Sequence, residues 1–90
     1  MMRINNLAEL KRLEVGRKIK LIEVSGMDSH KALNQIRKID IIQTNALRFE
    51  GGSWLYFPKS FEFESWENGF IIYDSKGQQY ETILKYEVLY

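Results

Sequence analysis

The sequence predicts an all-β fold: a small barrel or roll of about six strands with a short N-terminal helix, an α+β roll being the alternative. Three observations predict it. Alternating apolar and polar residues dominate after Gly16. Turn signals built on glycine recur roughly every eight to twelve residues. Helix signals are confined to the start of the chain. With 90 residues the chain suffices for one hydrophobic core and not for two. Its 44% hydrophobic and 28% charged residues, with a single proline, exclude a disordered tail.

The helix is expected from Leu7 to Leu13. Asn6 caps it, and Glu9 stands three residues later, where a capping box places its acid. Leu7, Leu10 and Leu13 recur at spacing three and form one apolar stripe, with Gly16 just beyond to turn the chain. Two turns of helix are not stable alone. The stripe must therefore dock, and the open end of a sheet is the expected place.

Strands follow. Lys18-Ile19-Lys20-Leu21 alternates and runs on to Val24, and Ser25 to His30 reads as a loop. Leu33 to Gln43 is ambiguous. Leu33, Ile36 and Ile39 fit a helix that Ser29 would cap, but the β-branched Ile36, Ile39, Ile41 and Ile42 favour a long strand with a bulge, which is the expectation adopted. Thr44-Asn45 is a tight turn. Ala46–Phe49 and Ser53–Phe57 form a hairpin around Gly51-Gly52, ended by Pro58. Phe61 to Trp66 alternates again, Asn68-Gly69 gives a hairpin turn because both residues can take positive φ, and Phe70 to Tyr73 returns. Asp74-Ser75-Lys76-Gly77 is a type I turn. The last strand starts at Tyr80. Tyr80, Thr82, Leu84, Tyr86, Val88 and Tyr90 share its buried face, and Glu81, Ile83, Lys85, Glu87 and Leu89 its wetter one. The arrangement preferred for these elements is an SH3-like barrel with an N-terminal helix.

Composition excludes several classes of function. Without cysteine there is no disulfide scaffold and no thiolate metal site, and one histidine cannot make a multi-histidine site. No run approaches the roughly eighteen apolar residues of a membrane span. The start, Met1-Met2-Arg3-Ile4-Asn5-Asn6, has no apolar core of a secretory signal, so a cytoplasmic location is expected.

The net charge of +1 conceals a polarity. Residues 1–48 carry ten Lys and Arg against five acids, and residues 49–90 carry three against seven. Only the first half has the charge of a nucleic-acid footprint. Folding a small barrel interleaves the two halves and blurs that difference.

Three segments resemble a known group of proteins. The run Leu10-Lys11-Arg12-Leu13-Glu14-Val15-Gly16-Arg17-Lys18-Ile19-Lys20-Leu21-Ile22 is similar to the opening of certain small SH3-like-barrel proteins of Gram-positive prophages and mobile elements. So are Gln43-Thr44-Asn45-Ala46-Leu47-Arg48-Phe49 and Gly52-Ser53-Trp54-Leu55-Tyr56-Phe57-Pro58. The resemblance implies a small β-barrel-like fold, a mobile-element context and a role in binding a host component. It transfers no catalytic residue.

Catalytic constellations are weak. Asp28-Ser29-His30 holds the residue types of a hydrolase triad, but neighbours in one loop do not converge on a single reacting atom. Glu62 and Glu64, two apart on an expected strand, would lie about 7 Å apart on one face, as on any solvated strand. Gly51-Gly52 lacks the Lys-Ser or Lys-Thr of a phosphate loop, and Asp74, Ser75 and Gly77 lack the remaining ligands of a calcium loop. No enzyme activity, cofactor, metal or small-molecule ligand is expected.

Binding remains. Ser53 to Phe57 has no polar face: Leu55 and Phe57 lie on one side, Trp54 and Tyr56 on the other. Either that strand is covered on both sides, or Trp54 and Tyr56 form an exposed patch of the residue types that anchor protein interfaces. The expected function is recognition of a protein partner through Trp54 and Tyr56. The alternative is weak, sequence-indifferent nucleic-acid binding through Lys18, Lys20, Arg37, Lys38 and Arg48, opposed by acids near the aromatic-rich strands.

Overall fold

The computed structural model describes residues 2–25, 33–74 and 82–89. The loop holding Asp28, Ser29 and His30, the expected turn at Ser75 to Gly77, and Tyr80, Glu81 and Tyr90 lie outside the described residues. The elements are α1 (Leu7–Lys11), β1 (Lys18–Ser25), β2 (Ile36–Ile42), β3 (Ala46–Phe49), β4 (Trp54–Tyr56), β5 (Phe63–Trp66), β6 (Gly69–Asp74) and β7 (Thr82–Val88), with a 3-10 turn at Ser60–Glu62. The all-β expectation holds, with seven described strands in place of about six. Among the described residues, no helix is long and apolar enough to cross a membrane, and no cluster of acids and histidine could hold a metal.

All seven strands join in one antiparallel sheet of order β4-β3-β2-β1-β7-β6-β5. Two register shifts bend it, one in β1 between Leu21 and Glu23, the other in β2 between Ile39 and Ile41. The second is the bulge expected in the isoleucine-rich segment, which is a strand and not a helix. Bulges bend the strand that carries them and increase its twist, and the sheet curls on itself. The consequence is visible in the core: Leu55 of β4 belongs to the same buried cluster as Phe70 of β6 and Tyr86 of β7, from the opposite half of the strand order.

The helix closes this cluster. Leu10 is fully buried, Leu13 is buried, and Leu7 packs against the same residues. α1 is shorter than the expected Leu7–Leu13 because its last turn tightens. Arg12 N–H donates to the Glu9 carbonyl at 3.1 Å and Leu13 N–H to the Leu10 carbonyl at 3.3 Å, both three residues back. The Asn6 side chain caps as expected, its Oδ1 accepting from Glu9 N–H at 2.9 Å. The Glu9 carboxylate reaches one residue further than a capping box requires and accepts from Asn5 N–H at 2.8 Å. That bond is the main reason its pKa lies below the ordinary value. Ile4, which no periodic pattern singled out, is also buried, its N–H donating to the Gly69 carbonyl at 3.0 Å.

Two expectations need correction. Phe61 and Glu62 do not extend β5. They form the 3-10 turn that leads the chain from Pro58 into Phe63, so Glu62 and Glu64 do not share a strand face. Gly69 does not take the positive φ of a turn glycine. The β5–β6 turn is Glu67-Asn68, and Gly69 opens β6 directly opposite Trp66 and Glu87. Glycine is needed there because a Cβ would overlap the Tyr86 carbonyl oxygen. Gly51 and Gly52, by contrast, adopt φ of 98° and 99° and make the β3–β4 hairpin turn as expected.

On β7, Thr82, Tyr86 and Val88 are buried as expected, and Leu84 is half-buried against the core. The other face is drier than expected. Ile83, Lys85 and Glu87 are half-buried, and Trp66 lies over this surface. Its indole N–H donates to the Tyr86 carbonyl at 2.8 Å, and the Lys85 ammonium sits 4.3 Å from the ring centroid.

Candidate functional site

The β3–β4 ladder sets which side chains of the aromatic segment are buried. Ala46 lies opposite Tyr56, Leu47 opposite Leu55 and Arg48 opposite Trp54. Leu47 and Leu55 point into the core. Strand alternation then turns Trp54 and Tyr56 outward. Trp54 is 39% exposed and Tyr56 70%, so of the two readings of this strand the exposed aromatic patch is the one observed.

The two rings stand between two depressions. On one side an open hollow of about 710 Å³ is lined by Gln43, Thr44, Asn45 and Ala46 together with Trp54 and Tyr56. On the other a groove of about 370 Å³ runs between β4 and the β6–β7 surface. Leu55, Phe57 and Pro58 line it from one side, Ile72, Tyr73 and Leu84 from the other, and Glu62 stands at its rim. β4 is the last strand of the sheet order, so among the described residues its outer edge pairs with no strand.

Arg48 fixes the base of the patch. It donates to the Asp40 carboxylate at 2.6 Å and places its guanidinium carbon 5.9 Å from the Trp54 ring centroid. The carboxylates near the groove are already engaged. Glu62 accepts from the Lys59 backbone N–H at 3.2 Å, and Glu64 accepts from the Tyr73 hydroxyl.

The five cations of the alternative reading do not share one surface. Lys18 lies opposite Lys38 and Lys20 opposite Ile36, so the three lysines occupy the outer face of β1 and β2. Arg37 lies opposite the buried Ile19 and therefore faces inward. Its guanidinium carbon is 4.1 Å from the Phe49 centroid, and its Nη1 donates to Ser53 Oγ at 3.0 Å. It also hydrogen-bonds the Tyr86 hydroxyl. Burial lowers the Arg37 pKa and raises that of Tyr86, and their contact opposes both shifts. Arg48 belongs to the aromatic edge described above.

Nothing in the sequence marks Ile72, Tyr73 and Leu84 as groove residues, because they reach β4 only through the curl of the sheet. Thr44-Asn45 reads as a turn, and nothing local to it shows that it flanks the aromatic pair. Compared with known proteins, the chain matches no family model, no curated protein and no solved structure.

Proposed function

We propose that the protein is a non-enzymatic binding protein that recognises a protein partner through the aromatic edge formed by Trp54 and Tyr56. One observation carries the reading: two large amphipathic rings stand exposed on an edge strand while the leucine between them is buried. Aromatic residues in such positions supply much contact area at low entropic cost and dominate the energetics of protein interfaces. The resemblance noted in the sequence fits an SH3-like protein of a prophage or mobile element that engages a host component in the cytoplasm. A pull-down from bacterial lysate with the wild type and with Trp54→Ala/Tyr56→Ala tests the reading. The wild type retains a protein that the folded double variant loses. Equal retention by both contradicts it.

The second reading keeps part of its basis. Lys18 and Lys38 stand directly opposite one another on an exposed face, an arrangement that costs energy in the free protein and that a phosphate backbone would relieve. Only three lysines contribute, so binding would be weak and steeply salt-dependent. Submicromolar affinity for DNA or RNA at physiological salt, lost in Lys18→Glu/Lys38→Glu, would place this reading first.

A further inference from the structure

We propose that the aromatic edge takes a second copy of the same chain, β4 pairing antiparallel with its own equivalent about a two-fold axis at Leu55. The inference rests on the reading of Trp54 and Tyr56 as a protein-binding surface and names its occupant.

Hydrogen bonding along β3–β4 determines what the free edge offers. Phe49 N–H donates to the Ser53 carbonyl at 2.8 Å, and Phe57 N–H to the Asn45 carbonyl at 2.9 Å. In an antiparallel ladder the bonded positions alternate. Ser53, Leu55 and Phe57 thus direct their backbone groups toward β3, and Trp54 and Tyr56 direct theirs away from it. The edge presents two N–H and two C=O groups, two residues apart. That pattern is self-complementary. With Trp54 opposite Tyr56 of the second copy, and Tyr56 opposite its Trp54, all four groups of each copy are paired, through four hydrogen bonds in one register. A slip of one residue sets bonding positions against non-bonding ones.

Side chains and charges select the same arrangement. Residues directly opposite share a face, so each Trp54 indole packs beside a Tyr56 phenol, a favoured cross-strand pair. Glu50 stands at the hairpin tip beyond one end of β4, and Lys59 follows Pro58 beyond the other. Both are exposed, and neither belongs to the ion pairs found among the described residues, Arg48–Asp40 and Lys85–Glu23. Antiparallel pairing carries each Lys59 toward the hairpin tip that bears Glu50 of the other copy, whereas parallel pairing sets like charges together. The opposite sheet edge lacks this character. β5 carries Glu64, and Arg3 donates across it to Ser65 Oγ at 3.2 Å. Natural edges are commonly protected by charges or by proline. Within Trp54–Tyr56 there is neither.

Sedimentation equilibrium of the full chain across a wide concentration range tests the proposal. The wild type shifts from monomer toward dimer mass with concentration. Tyr56→Pro removes an outward N–H without touching the ladder to β3, so it remains folded by circular dichroism and monomeric. Lys59→Glu and Glu50→Lys each weaken dimerisation by roughly three- to tenfold, as expected for two rim ion pairs, and the double reversal restores it. These two exposed substitutions keep the test decisive even if the proline variant unfolds. A chain that stays monomeric at every concentration, or a dimer indifferent to the charge reversals, overturns the proposal. If the chain is monomeric and Trp54→Ala/Tyr56→Ala still loses a captured protein, only the two-fold dimer is wrong. A dimer that survives Trp54→Ala/Tyr56→Ala, with no partner lost on that variant, contradicts both readings.

Discussion

Arg48 and Trp54 face one another across the β3–β4 ladder, the guanidinium carbon 5.9 Å from the indole centroid. Asp40 holds the same guanidinium through a 2.6 Å ion pair. The indole, 39% exposed, therefore stands beside a cation that an ion pair holds in place. Both members of the ion pair are more than a third exposed, so water screens it.

The aromatic pair is consequently expected to be dispensable for folding. Trp54→Ala/Tyr56→Ala should cost about 1 kcal/mol or less, the scale of exposed cation–π contacts and surface substitutions. Urea unfolding followed by circular dichroism measures it. A loss of several kcal/mol would mean that the rings are core.

Leu10 is the opposite case. It is fully buried at the end of the curled sheet, and Leu10→Ala leaves a cavity there. The expected loss is about 2–5 kcal/mol, a large part of a small domain's stability. An unchanged unfolding midpoint would show that the helix is not part of the core.

Gly69→Ala tests the close approach of β6 to β7. The added methyl would overlap the Tyr86 carbonyl oxygen and lie 3.1 Å from the Glu87 Cα, both backbone atoms that cannot swing aside. Loss of about 1–3 kcal/mol or more is expected, as for other overpacked sites. The Tyr86 carbonyl also accepts the Trp66 indole N–H, so near-ultraviolet circular dichroism should report the disturbance. A variant as stable as the wild type would contradict the packing described.

Burial raises the Tyr86 pKa above the usual phenol value near 10, and the Arg37 guanidinium opposes this only in part. The folded state thus favours the protonated phenol. This contribution is complete below about pH 10, where both states hold the proton, and falls as pH rises toward the folded value, because the unfolded chain ionises first. Tyr86→Phe should therefore lose stability less steeply than the wild type above about pH 10. Identical slopes in alkaline urea titrations would show that the hydroxyl is not shielded.

Local chemistry made much of the fold legible. The Gly51-Gly52 turn, the isoleucine-rich bulge of β2 and the buried face of β7 each follow from residues adjacent in sequence. Asn68-Gly69 marks the turn, but the need for glycine at position 69 comes from Tyr86, seventeen residues away. Charge alone groups Arg37 with Lys38, although strand periodicity sets it on the face of buried Ile39. In the candidate site, the lack of a polar face on Ser53 to Phe57 was visible, but which face was buried was not. That depends on Leu47 opposing Leu55 and on a sheet curled far enough to bring Tyr73 and Leu84 alongside.

The claim that the Trp54–Tyr56 edge is the binding surface is tested most directly by site-specific photo-crosslinking. A benzophenone-bearing residue replaces Tyr56 in one variant and Lys38, on the outer face of β2, in another. After illumination in host lysate, position 56 is expected to give a discrete protein adduct and position 38 none. Adducts from position 38 with none from position 56 would contradict it.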